Sequence, residues 1–185
     1  MKVKFTEIQN KNERKEVQGL YNKSVPAHEK AYFYPLWWKR KRSNISFVNI
    51  YDKDKWVGFV FYSLYKDLVY VWFFATNDTA TSKKYDSAMF DEIKRLHPNH
   101  RIAVSIEAEN ENSDNAEHSD KEKQFYGSNG FRETGYFVKR KADSFEIMLF
   151  GKSFHIEELY DVNRDVYPIL SRFIISDMKK QIQKK

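Results

Sequence analysis

The sequence contains no cysteine, which removes disulfides, thiolate metal sites and a cysteine nucleophile in one step. Glycine and proline are sparse, 6 and 4 of 185 residues, so the chain is neither a flexible linker nor a low-complexity polymer. No run of about 18 apolar residues occurs, and Met1 to Asn10 is polar and alternating where a signal peptide would be apolar. A cytoplasmic protein with no membrane partner is expected. His28, His97, His100, His118 and His155 show no paired metal-ligand spacing on one helix, the acidic stretch lacks the glycine and spacing of a calcium loop, and no GxSxG elbow is present. Neither a metal nor a serine-hydrolase nucleophile is expected.

What the chain does have is apolar mass: 41% hydrophobic and 17% aromatic residues, enough for one buried core at this length. The net charge of +6 is unevenly spread. Lys39, Arg40, Lys41 and Arg42 form one basic block and Lys179 to Lys185 another, while Glu107 to Glu122 is acidic. Such a balance suits an anionic partner, either nucleic acid or the phosphates of a nucleotide cofactor.

Periodicity then orders the elements. Val3, Phe5 and Ile8 alternate as a first strand; Val17, Leu20 and Tyr21 recur at helical spacing up to Pro26. A second helix is expected from His28 to Arg42, kinked or broken by Pro35. Ile45–Tyr51, Trp56–Leu64 and Leu68–Ala75 read as an antiparallel meander whose two apolar faces both need helical cover. Tyr85, Met89, Ile93 and Leu96 then mark a helix before Pro98, and Ile102, Val104 and Ile106 a strand, giving a right-handed crossover between parallel strands. Ser119 with Glu122 reads as a capping box opening a helix that stops at Gly130. Two strands follow, Phe131–Lys139 and Ser144–Phe150, and then a largely helical segment, His155 to Gln183, divided by Pro168.

This order resembles the GNAT N-acetyltransferase fold, and its most specific local match is FYGSNGFRETGY, Phe125 to Tyr136, followed in weight by IKRLHPNHRIAVSIE, Ile93 to Glu107. The resemblance covers about residues 1–154 as one α/β (α+β) acyltransferase domain, with 155–185 as a helical extension packed on or beside it. It implies a mixed, mostly antiparallel sheet of about seven strands with helices on both faces and a splay between the fourth and fifth. It also implies an acetyl-CoA cosubstrate whose pantetheine arm pairs with Phe74, Ala75 and Thr76 and whose pyrophosphate meets the loop and helix start formed by Thr81, Ser82, Lys83, Lys84, Tyr85, Asp86 and Ser87. Glycine normally lets backbone approach phosphate in such loops. Here Thr81 stands where the family has Arg or Gln, and Lys84 and Asp86 occupy the two small positions.

Direct acyl transfer requires an acid for the leaving thiolate and a base for the amine. By resemblance Tyr126 is the acid; Glu107 is the candidate base, because it ends the fifth strand at the splay, where a carboxylate can take the amine proton directly or through water, while the fourth-strand stretch that carries an acidic residue in many family members is here Val71, Trp72 and Phe73. The acidic segment beginning at Glu107 reads as a solvated loop, or as an attractor for a cationic amine. Tyr32, Tyr34, Trp37 and Trp38 read as a buried stripe, or as lining for the acceptor. The expected partner is a small-molecule or peptide amine, with a homodimer open. A GNAT-fold module that no longer accepts CoA is the rival reading. A nucleic-acid partner at Lys39–Arg42 ranks lower, since burial already accounts for the neighbouring aromatics.

Overall fold

The computed structural model describes residues 1–25, 33–77, 82–108, 116–140, 143–167 and 182–184. Along the chain these form β1 (Lys4–Glu7), α1 (Lys11–Ser24), α2 (Phe33–Lys39), β2 (Ile45–Asp52), β3 (Lys55–Tyr65), β4 (Leu68–Thr76), α3 (Ser82–Leu96), β5 (Arg101–Glu107), α4 (Ala116–Ser128), β6 (Arg132–Arg140), β7 (Asp143–Phe150), α5 (Ile156–Val166) and β8 (Ile182–Lys184). They divide into two compact units, Met1–Ser63 with Val71–Pro98, and Leu64–Tyr70 with Asn99–Lys185.

The first unit carries the strand order β1-β2-β3-β4. α1 starts where Asn10 accepts the free amides of Asn12 and Glu13, at 2.9 and 3.0 Å. Its inward residues Val17 and Tyr21 are buried, and the Tyr21 ring meets Phe33 of α2, Phe59 of β3 and Phe73 of β4 at 5.5–6.1 Å. Phe47 closes this cluster against Phe59 and Phe61. The other sheet face takes Met89, Phe90 and Ile93 of α3, with Phe74 edge-on to Phe90 at 5.6 Å. Each such aromatic pair adds about 0.5–1.5 kcal/mol beyond the area it buries. The two-faced meander therefore needs, and has, helices on both sides. Pro35 does not break α2, because it falls in the first turn, where a missing N–H costs no helical bond. The upstream part of the expected second helix lies outside the described residues.

In the second unit β7 sits between β5 and β6, antiparallel to both. The start of β4 runs alongside β5 in the same direction: Arg101 N donates to Asp67 O at 2.8 Å, and Tyr70 Oη lies 2.6 Å from Ser105 Oγ. Arg101 also grips Asp67 and Glu158 with paired hydrogen bonds of 2.6–2.9 Å. One guanidinium thus fixes the β3–β4 turn, β5 and α5 together. A side chain at Gly151 would strike it, since a Cβ there would lie 2.6 Å from Arg101 Cγ.

Two further expectations are corrected. α4 begins at Ala116, so Ser119 is not its N-cap but a buried residue within it, donating to the Glu107 carbonyl at 3.1 Å. The C-terminal segment is not helical through Gln183: α5 ends at Val166, and Ile182–Lys184 pairs with Val138, Phe137 and Tyr136 of β6. Tyr167 leaves the helical region at φ −125°, ψ 62°, as the residue before a proline tends to do. The outer edge of β6 gains a partner in β8, an eighth strand that covers otherwise open backbone groups.

Candidate active site

The first unit places the end of β4 and the start of α3 together. Asn77 N donates to Val57 O at 2.8 Å and Asn77 Nδ2 to Trp56 O at 3.0 Å, so β3 holds the chain where it leaves β4. Ala75 is buried there, and β3 comes so close that a Cβ at Gly58 would lie 2.1 Å from Ala75 O. Phe74 points to α3, while Thr76 turns its hydroxyl to Asp86, donating to Oδ1 at 3.3 Å. Tyr85 is buried and donates to Asp52 Oδ2 at 3.2 Å, tying the first turn of α3 to the end of β2.

This arrangement sorts the residues expected to form a phosphate site. Lys83 and Lys84 are exposed, Ser87 is half-buried, and the first turn of α3 has no acidic residue. The positive end of the helix dipole is therefore joined by two lysines and opposed by no carboxylate in the first turn, the electrostatics an anion requires. Asp86, the residue least compatible with a pyrophosphate, is drawn inward onto Thr76. Ser82 opens the helix, and Thr81 lies outside the described residues.

Burial pushes the Asp86 carboxyl up to about 6, against the pull of the Thr76 hydroxyl and the Lys83 ammonium. An aspartate in the unfolded chain titrates near ~3.9, so the folded state binds this proton more tightly. Stability should then fall as pH rises from about 4 to about 6 and level off above, because the charged form is the one that burial disfavours. Asp86→Asn keeps an acceptor for Thr76. It is expected to raise stability at pH 7.5 by about 2 kcal/mol and to flatten this profile in urea unfolding at pH 4.5, 6 and 7.5. An unaltered profile in the variant would assign the titration to another group.

In the second unit Glu107 closes β5 opposite Phe145 of β7, and its main-chain oxygen receives the Ser119 hydroxyl, so β5's exit and α4 are joined at one point. Tyr126, further along α4, is buried with its ring edge-on to Phe125 at 5.3 Å and to Phe131 at 5.6 Å. Its carbonyl accepts from Phe131 N at 3.0 Å across a turn that Gly130 makes at φ +84°. The FYGSNGF motif is thus a helix stop that sets one tyrosine firmly. Sequence reasoning missed Glu146, fully buried on β7 with Lys123 Nζ 3.0 Å from its Oε2. Burial raises its carboxyl above the usual range, while the Lys123 ammonium draws it back down. The signal was there: one carboxylate inside the apolar run of β7. Among the described residues no group of His, Asp and Glu is arranged to hold a metal, and no helix is long and apolar enough to cross a membrane.

No family model and no curated protein sequence matches the chain. Solved structures do. A protein assigned to the GNAT acetyltransferase family, from Bacteroides thetaiotaomicron, superposes with a TM-score of 0.70 at 18% identity, over 92% of this chain and 98% of its own. The aminoglycoside 6'-N-acetyltransferase from Enterococcus faecium gives 0.61 at 12% identity, over 80% and 96%. A Bacillus subtilis acetyltransferase in complex with CoA gives 0.54 at 11% identity, over 82% and 98%. The chain has the fold of the GNAT acetyltransferases.

Proposed function

We propose that this chain is an N-acyltransferase that moves an acyl group from acyl-CoA directly to a primary amine, acting in the cytoplasm. The observation that carries the reading is the first turn of α3, where Lys83 and Lys84 are exposed and Asp86 is turned away onto Thr76. The fold supports it, and two structural neighbours were solved with CoA bound. When bound, acyl-CoA supplies an activated carbonyl carbon and a thiolate leaving group. The amides at the start of α3, with Lys83 and Lys84, hold the pyrophosphate, and the Phe74–Thr76 backbone orients the pantetheine arm. Glu107 takes the proton that the attacking amine releases, directly or through water, and Tyr126 protonates the departing sulfur. The new bond is carbon to nitrogen, the broken one carbon to sulfur, and no enzyme-linked acyl group is required.

Titration calorimetry with acetyl-CoA tests this. Micromolar affinity is expected, and the Lys83→Ala/Lys84→Ala double variant should bind about tenfold more weakly with a flatter salt dependence. The second reading, a GNAT-fold module that has lost its cosubstrate, draws on Lys84 and Asp86 standing at the two small positions of the loop. Absence of any heat at millimolar acetyl-CoA would select it.

A further inference from the structure

We infer that the outward face of α2 and the basic turn behind it form a binding surface for single-stranded nucleic acid, independent of acyl transfer. The helix divides its aromatics sharply: Phe33, Leu36 and Trp37 are buried, whereas Tyr34 is 49% and Trp38 69% exposed. Four residues apart, Tyr34 and Trp38 are neighbours on one face; Tyr34 meets the core only edge-on at Phe33, 5.9 Å away, and both rings keep large exposed areas. The chain then keeps turning, Lys41 N donating to Trp38 O at 3.4 Å and Arg42 N to Lys39 O at 2.9 Å. That carries the exposed Lys41 and Arg42 onto the turn directly after the tryptophan.

Beneath this face a second pair of cations converges. The Arg40 guanidinium lies 3.5 Å and that of Arg14 5.6 Å from the centre of the Trp37 ring. Burial, and then the charge of Arg14, lower the Arg40 pKa, while Glu7 offsets them only in part. Arg14 Nε is buried without a hydrogen-bond partner. Trp37 itself is buried and its carbonyl accepts from Arg40 Nη1 at 2.9 Å, so these guanidiniums add positive charge behind the exposed face, which favours an anion at Tyr34 and Trp38.

The pattern of ring, ring and cation separates the possible anions. An acidic peptide would use the charges but leave the rings idle. A membrane surface would call for an aliphatic wedge, yet Leu36, the aliphatic residue of α2, is fully buried. Bases stacking on Tyr34 and Trp38 while phosphates meet Lys41 and Arg42 use both exposed rings and both exposed cations.

Fluorescence anisotropy with labelled 12-nucleotide single-stranded RNA and DNA, between 50 and 200 mM salt, tests the assignment. Micromolar binding is expected at the lowest salt. Lys41→Ala/Arg42→Ala should lower the slope of log affinity against log salt by about 1.4, two phosphates' worth for a single strand. Trp38→Ala should weaken binding about tenfold with the slope kept, because it removes stacking rather than charge. Both substitutions fall on exposed positions, and circular dichroism confirms that the variants are folded. A preference between the RNA and DNA arms reports which source is used. The proposal is overturned by no binding at 50 mM salt, by equal binding of Trp38→Ala, or by Trp38-dependent binding to phosphatidylserine vesicles with none to either oligonucleotide.

Discussion

Gly58→Ala should cost the first unit about 3 kcal/mol or more of stability, the upper end for adding one methyl group to a packed site. The alanine Cβ would lie 2.1 Å from Ala75 O, 3.0 Å from Ala75 C and 3.0 Å from Thr76 Cα. All three are backbone atoms, so no side chain can rotate aside to relieve the overlap. β3 would have to part from β4 where Asn77 N bonds to Val57 O. The displaced segment is Ala75–Thr76, the stretch assigned to the pantetheine arm, so acetyl-CoA affinity should fall at least about tenfold together with stability. Urea unfolding and calorimetry on one preparation read both. A variant within about 0.5 kcal/mol of the parent, the usual range for a bland surface change, would show that the two strands do not approach this closely.

Tyr126→Phe should lower kcat about a hundredfold and leave acetyl-CoA affinity unchanged. The lower end of general acid catalysis is about that factor, and in the proposed mechanism the lost hydroxyl would act on the leaving group rather than on binding. The substitution is structurally mild: the ring packs edge-on between Phe125 and Phe131, and phenylalanine fills the same space. Steady-state kinetics with a primary amine acceptor, paired with calorimetry, separate the outcomes. Unchanged kcat removes Tyr126 from the mechanism, while a parallel loss of affinity and stability would make it a packing residue only.

The expectations that held are those written in neighbouring residues. Alternation in Phe59–Leu64 foretold a sheet covered on both faces, and helices with buried aromatic contacts occupy both. The i, i+4 run Tyr85, Met89, Ile93 gave α3, and Gly130 ended α4 in the positive-φ turn its position implied. What failed was written elsewhere. Ser119 and Glu122 have the spacing of a capping box, but the helix starts earlier and Ser119 serves the carbonyl of Glu107, twelve residues back. The end of the tail was read as helix, but an open edge on β6 drew Ile182–Lys184 into strand pairing, while Ile169, Leu170, Phe173 and Ile174 lie outside the described residues.

The sequence by itself determined the order of elements from β1 to α5, the motif that sets Tyr126, and the exclusion of cysteine chemistry, because periodicity, turn residues and composition are local properties. Only the tertiary structure decided that Asp86 turns inward while Lys83 and Lys84 face solvent, that Trp37 is core while Trp38 is surface, and that Gly58 must lack a side chain. Each of those depends on which distant backbone or ring arrives at the residue, and a one-dimensional pattern does not hold that information.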